Sequence, residues 1–204
     1  MTGPILRKAD RDEVVEMTNL LHLAHAELAD RGLNFSGVDQ TVATTRRRSF
    51  QGSTWVLEQD GQLIGMATLS MPPSSVLRNL SEVANVRRAA WLNQLAVHPD
   101  HRGDGHARTL FEKIRDEAIR RRAAFLGIDT ARPAEDLVEI YLYWGFAERE
   151  VIQWPGKAYD SLVMTLALRP LPAAAPSWPA RASPARSIRR GRTTCSPIPT
   201  RRSR

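Results

Sequence analysis

Gly103 and Gly105 stand in the segment Leu92-Asn-Gln-Leu-Ala-Val-His-Pro-Asp-His-Arg-Gly-Asp-Gly-His-Ala-Arg-Thr-Leu110, where an apolar strand runs into a short loop and a helix follows at once. That order can build an anion site from backbone alone. The glycines permit positive φ and let the chain approach a ligand closely. The first turn of the helix leaves its N–H groups unpaired, and the helix dipole adds partial positive charge there. A phosphate or pyrophosphate is the guest such a site suits.

Three kinds of phosphate loop have to be separated. The Walker pattern requires Lys-Ser/Thr after its second glycine, and Ala107-Arg108 stands nearby instead. The dinucleotide fingerprint requires three spaced glycines early in a βαβ unit, and here there are two, closely spaced. The third pattern is Arg/Gln-x-x-Gly-x-Gly/Ala after a strand ending in Val-x-Pro. Arg102-Gly-Asp-Gly-His-Ala107 behind Val97-His-Pro-Asp fits it at each fixed position. This stretch resembles the acyl-CoA loop of the GNAT superfamily of N-acetyltransferases. A second stretch, Ile140-Tyr-Leu-Tyr-Trp-Gly-Phe146, is similar to the family's Leu-Tyr-x-x-x-Gly-Phe helix end, with Ile for Leu. The resemblance spans residues 4–168, strongly in the cofactor half and weakly in the acceptor half.

The resemblance implies direct acetyl transfer from acetyl-CoA to an amine. Backbone groups of Leu95, Ala96 and Val97 would pair with the pantetheine arm like an added strand. The amides of Arg102, Gly103, Asp104, Gly105, His106 and Ala107 would hold the pyrophosphate. The strand N–H near Leu95 would polarise the thioester carbonyl. Tyr141 is the expected general acid for the departing thiolate, because a phenol titrates near 10. Its alternative is a helix tyrosine packed in the core. Tyr143, two residues on, points to another helix face. Asp104 departs from the basic residue frequent at its loop position and would repel the pyrophosphate unless it faces water. His106 replaces an aliphatic residue and takes no role.

The general base has no assignment. Asn93 and Gln94 on the central strand are poor bases, Glu82 precedes that strand, Glu139 shares the Tyr141 helix, and a water relay is equally open. His22 with His25, and His98 with His101, are spaced like ligand pairs. No Cys or carboxylate cluster completes either pair, so packed or solvated histidines and no metal are expected. Arg46–Arg48 and Arg120–Arg122 read as surface groups near helix ends. Trp154 and Tyr159 line an amine pocket or simply pack; the two readings are even. Residues 34–36, 71–88 and 154–159 would shape the acceptor pocket.

These residues need elements to position them. Pro4–Ala9 reads as a strand. Asp10–Glu13 resembles a capping box, followed by Val14, Met17, Leu21, Ala24 and Leu28 at helical spacing up to a stop at Gly32. A second helix is expected over Asp39–Phe50. Ser53–Gln59 and Gln62–Ser70 flank Asp60-Gly61, a type I′ hairpin signal. Residues 71–88 show no pattern. Ala89–Val97 is the central strand, Gly105 to about Arg122 a helix with Ala107, Leu110, Phe111, Ile114 and Ala118 on one face. Phe125–Thr130 is a strand, Pro133–Trp144 a helix, and Phe146–Trp154 with Ala158–Leu168 two closing strands. The fold class is α/β with a mixed sheet, and the family implies a central splayed sheet flanked by helices.

Charge divides the chain in two. The formal net charge is +7, yet residues 171–204 hold eight Arg and no Lys, Asp or Glu. Taking those eight from 29 basic residues leaves 21 against 22 acidic ones, so the body carries a net −1. We therefore expect one catalytic domain over 1–170 and a Pro/Ala/Ser/Arg-rich disordered tail over 171–204. The tail is either a basic arm for nucleic acid or an incidental extension, and the latter is favoured. The one cysteine, Cys195, allows no intrachain disulfide. No membrane span or secretory segment is evident, and a cytoplasmic setting is expected. The near-neutral body argues mildly against a strongly anionic substrate. A small amine is the first acceptor expected and a protein or peptide amine the second, with no nucleic acid or membrane partner and a homodimer as an admissible assembly. A non-catalytic acyl-CoA-binding regulatory module is the alternative function.

Overall fold

The computed structural model describes residues 3–168; the tail expected to be disordered lies outside them. In chain order the elements are β1 (Ile5–Lys8), α1 (Val14–Asp30), α2 (Ser36–Asp39), α3 (Val42–Gln51), β2 (Ser53–Gln59), β3 (Gln62–Ser70), α4 (Ser75–Leu80), β4 (Ala89–Val97), α5 (His106–Arg120), β5 (Phe125–Ala131), α6 (Glu135–Tyr143), β6 (Ala147–Ile152) and β7 (Ser161–Ala167), with short 3-10 turns at Arg11–Glu13 and Pro99–His101. The strands form one seven-stranded sheet in the order β1-β2-β3-β4-β5-β7-β6. Only the β4–β5 pair is parallel; α5 makes the crossover that a parallel pair requires.

Local chemistry explains most boundaries. The Glu13 carboxylate accepts the Asp10 N–H at 2.6 Å, which supports the turn leading into α1. Val14, Met17, Leu21, Ala24 and Leu28 are all buried, as their spacing predicts. Gly32 and Gly145 end their helices at φ +77° and +92°, and Asp60 and Gly61 both have positive φ, as a type I′ turn demands. Two expectations need correction. The helix expected over Asp39–Phe50 is split: α2 ends at Asp39, and Thr41 caps a new start by accepting the Thr44 N–H. The patternless link at 71–88 contains α4, capped by Ser74 through the Leu77 N–H at 3.2 Å. Only Leu77 of that helix is buried, so no periodicity announces it.

Helices cover both faces of the sheet. On one face Leu110, Phe111, Ile114 and Ala118 of α5 pack against Leu57, Ile64, Leu126 and Ile128. On the other, Val14, Met17 and Leu21 of α1 meet Val56, Met66 and Ala96. Each such buried side chain contributes roughly 1.5–3 kcal/mol. Glu117 is a polar anchor within this apolar stripe. Its carboxylate accepts from the Ser53 hydroxyl at 2.7 Å and the Trp55 indole at 2.9 Å, with Lys8, Arg120 and Arg121 around it. Burial alone would raise its pKa, but these hydrogen bonds and charges outweigh burial and bring it to about 2.

Candidate active site

β4 and β5 pair only at Ala89↔Phe125, Ala90↔Leu126 and Trp91↔Gly127. Beyond Trp91 the strands part, and Leu92–Val97 keep no strand neighbour on that side. On the β3 side the register slips between Met66 and Thr68, opposite Gln94, which has φ +50°. That bulge bends β4 away from β5 and opens the sheet. The His98 N–H donates to Ile64 on β3. Alternation of backbone direction along a strand therefore turns the Val97 and Leu95 peptide groups toward the gap. Leu95, Ala96 and Val97 line the cavity that fills it.

At the far end of this gap lies the glycine loop. Gly103 and Gly105 have φ +89° and +80°, and a Cβ on either would meet nothing within 4 Å. Space does not call for glycine there; the backbone conformation does. Among the described residues the amides of Gly103, Asp104, Gly105, His106, Ala107 and Arg108 make no backbone hydrogen bond, so the loop and the first turn of α5 leave them unpaired beside the cavity, which all but Asp104 line. Arg102 differs from the rest of the expected set. Its own amide already donates to the Pro99 carbonyl at 3.2 Å, and its guanidinium is pinned to α1 through Glu27 at 2.7 Å and the Ala24 carbonyl at 2.8 Å. Arg102 thus ties the loop to α1. The Asp104 side chain is 68% exposed, where water screens its charge, whereas His106 is 12% exposed and packs beside His101.

Tyr141 lies on α6 with its ring against Trp144 and Phe146, and it lines the cavity. Burial, with the Asp129 charge adding to it, pushes its phenol up to about 12. It is therefore protonated throughout the neutral range and can donate. Tyr143 is 85% exposed and turned away. Glu82 and Glu139 are exposed and neither lines the cavity.

Glu27, Asp136 and Asp129 line it; the first two are paired with Arg102 and Arg31, and Asp129 on β5, which sequence reasoning missed, is in no ion pair among the described residues. Its Oδ1 accepts the Trp91 indole N–H at 2.8 Å and its Oδ2 the Trp154 indole N–H at 2.9 Å. Burial raises its pKa; the two indole bonds and the charge of Arg48 oppose that. Trp91 reaches Asp129 because residue 127 is glycine: a Cβ there would stand 2.2 Å from the indole ring. A lone glycine inside an apolar strand was the available signal.

Residues 33–37 and the β6–β7 hairpin meet over one side of the cavity. Asn34 donates to the Gly156 carbonyl at 2.8 Å, accepts the Ala158 N–H at 3.0 Å, and offers its carbonyl to Lys157. Phe35 and Tyr159 pack with ring centroids 5.4 Å apart. Trp154 and Tyr159 therefore pack and also line the cavity, whose volume is about 1210 Å³. Each of the three segments reaches the cavity: Phe35 and Ser36, then Pro72 and Ser74 to Leu77, then Trp154, Lys157 and Tyr159.

Both histidine pairs have partners within the protein: His98 accepts the Asp100 N–H at 3.3 Å and its ring meets His101 edge-on at 5.7 Å. His22 bonds the Gln40 carbonyl at 3.0 Å, and His25 bonds the Leu21 carbonyl at 2.8 Å and presses on Gly37. No group of three or more His, Cys, Asp or Glu among the described residues could hold a metal ion. No described helix is long and apolar enough to cross a membrane.

Comparison with known proteins agrees with this geometry. The E. coli ribosomal-protein-S18-alanine N-acetyltransferase superposes with a TM-score of 0.62 at 17% identity, over 84% of this chain and 98% of that one. A putative acetyltransferase from Salmonella typhimurium, solved with its cofactor acetyl-CoA, gives 0.61 at 18% identity over 86% and 98%. An N-acetyltransferase from Staphylococcus aureus Mu50 gives 0.61 at 14% over 82% and 100%. These identities speak for the fold alone. No curated protein matches by sequence. The family model described as the acetyltransferase (GNAT) family matches residues 19–146, which include the splayed strand, the glycine loop and the Tyr141 helix. That match takes in more than half of the chain, and the protein belongs to the GNAT acetyltransferase family.

Proposed function

We propose that this protein moves an acetyl group from acetyl-CoA directly to the nitrogen of a small amine. The observation that carries the reading is the unpaired edge of β4, which leads from the free amides at the start of α5 to Tyr141 and Asp129 in one cavity. Acetyl-CoA supplies the activated acyl group as its thioester. The residues fit it: free amides for the pyrophosphate, an open strand edge for the amide-bearing arm, and an enclosed region beyond for the acyl end.

The chain's own groups divide the remaining work. The amides of Gly103 to Arg108 bind phosphate, and Leu95 and Val97 present backbone groups to the arm. A backbone N–H near Leu95 stabilises charge that develops on the carbonyl oxygen. Asp129 holds the acceptor's ammonium and takes its proton, freeing the lone pair that forms the new C–N bond. Its raised pKa suits it to that task better than an exposed carboxylate. As the C–S bond breaks, the Tyr141 hydroxyl donates a hydrogen bond to the departing sulfur, and the second proton lost by the acylated nitrogen passes to the thiolate. A phenol near 12 lies above an ordinary thiol near 8.5, so full proton transfer is uphill until Tyr141 is resupplied with a proton. Its contribution is a hydrogen bond that strengthens as charge builds on sulfur.

A non-catalytic acyl-CoA module had two motives, a missing base and an acid in the phosphate loop. Asp129 removes the first, and the outward turn of Asp104 removes the second. The test is calorimetric binding of acetyl-CoA to the full chain, then thiol release with a panel of amines. Binding with amine-dependent release is expected. Folded protein that does not bind acetyl-CoA overturns the reading.

A further inference from the structure

The arginine triplet at 46–48 is not uniformly a surface feature. Arg46 and Arg47 are exposed, but Arg48 is half-buried and turned into the cavity. Its one hydrogen bond among the described residues runs from Nη1 to Oε1 of Gln40 at 3.0 Å, a neutral amide. It takes part in no ion pair among the described residues. The Gln40 side chain is itself fixed by donating to Thr45 at 2.7 Å, and its backbone carbonyl accepts from His22, so the guanidinium is held in place before any ligand arrives. A buried guanidinium cannot shed its charge, and an unpaired one is costly.

The surroundings deepen the imbalance. Lys157, on the β6–β7 hairpin, also lines the cavity, bonds only a carbonyl and forms no ion pair among the described residues. Of the carboxylates on the wall, Glu27 is spent on Arg102 at 2.7 Å and Asp136 on Arg31 at 2.9 Å. Asp129 alone remains, against Arg48, Lys157 and the exposed Arg47, which also lines the cavity. Gln94, 8% exposed and lining the same cavity, leaves its Nε2 without a partner. Three cations, of which Arg48 is the most buried, and an idle amide donor face one acid that the amine itself would occupy.

We infer that the acceptor is a small amine that also carries an anionic oxygen group, a carboxylate or a phosphate, seated on Arg48 and Lys157 while its nitrogen meets Asp129. This rests on the acetyltransferase reading and deepens it. The body's near-zero net charge is no obstacle, because the field that matters is that of the desolvated cavity. Arg48 offers a planar fork suited to such oxygens, and pre-fixing by Gln40 lowers the cost of binding them.

The test uses the full chain with matched pairs: amino acids against their amides and decarboxylated amines, and 2-aminoethyl phosphate against ethanolamine. Thiol release gives kcat/KM, and Trp fluorescence reports acceptor binding without turnover, since Trp91 and Trp154 flank Asp129. At least one anion-bearing amine should exceed its neutral partner by about 100-fold, the scale of a charge-assisted bond. Which class shows it distinguishes carboxylate from phosphate. Arg48→Gln should collapse that ratio to near unity through KM and leave acetyl-CoA affinity unchanged. Arg48→Lys should keep part of it, and Lys157→Met should lower it about tenfold. Equal rates and equal binding within every pair, including no binding at all, overturn the inference. So does weakened acetyl-CoA binding in Arg48→Gln, which would assign the cation to the cosubstrate's phosphates. Discriminating binding without thiol release from any amine supports the inference while overturning the acetyltransferase reading.

Discussion

The indole of Trp154 donates to the carboxylate of Asp129 at 2.9 Å and so fastens the β6–β7 hairpin to β5. A second indole, Trp91, takes the other oxygen. The carboxylate is thereby aimed by two rigid groups, neither of which can neutralise it. That arrangement keeps a buried acid in a fixed position while leaving its charge available to an incoming ammonium.

Asp129→Asn tests that role. A base must be deprotonated, so the rate should fall as pH drops through the raised pKa of Asp129, giving an acid limb above the usual carboxylate range. The substitution should cut kcat by about 10²-fold or more and abolish this limb. A variant with an unaltered pH–rate profile would assign the limb elsewhere.

Tyr141→Phe removes one hydroxyl and leaves the ring edge-on against Trp144 and Phe146. We expect kcat to fall by about 10²–10⁴-fold, with acetyl-CoA affinity nearly unchanged. Stopped-flow thiol release and calorimetry separate the two. An acetyl-CoA affinity that falls in step with the rate would make Tyr141 a binding group instead.

Gly127→Ala should disturb the site from a distance. The new methyl would drive into the Trp91 ring, and overpacking of this kind costs about 1–3 kcal/mol. Because Trp91 holds Asp129, the variant should show altered tryptophan emission and a lower kcat even where it remains folded. Urea unfolding with parallel kinetics reads both.

Gly105→Ala acts through backbone conformation. At φ +80° an L side chain is strained by about 1–2 kcal/mol, although space is free. The KM for acetyl-CoA should rise about tenfold while the acceptor preference stays as it was. A change confined to acceptor KM would mean that this loop does not serve the pyrophosphate.

Glu117 governs acid stability, not chemistry. Its folded pKa of about 2 lies below the ordinary value of 4.5, so the stability it supplies is present above 4.5 and lost as pH falls toward 2. Glu117→Gln should cost on the order of 3 kcal/mol at pH 7 and flatten the loss of stability across that window. Denaturant titrations at pH 3 and pH 7 check it.

The parts legible from the sequence were those set by neighbours in the chain. Gly103 and Gly105 announce positive φ because few other residues take it, and the strand before them and helix after them are encoded within a few residues. The apolar period from Val14 to Leu28, the Asp60-Gly61 turn and the stops at Gly32 and Gly145 are local in the same sense. The phosphate loop and the order of the elements follow from these.

What the tertiary structure decided was which distant side chains share the cavity. Asp129 looked like one polar residue in an apolar strand until the three-residue pairing of β4 with β5 set it beside Trp91, and the hairpin brought Trp154. Arg48 looked like the third of three surface arginines until the split of the expected helix at Gln40–Thr41 placed Gln40 to hold it. A one-dimensional pattern records periodicity and turn chemistry, but strand register, crossover and loop docking determine which charges are desolvated together. The acceptor half of the site depends on those long-range choices, whereas the cofactor half is built from contiguous backbone.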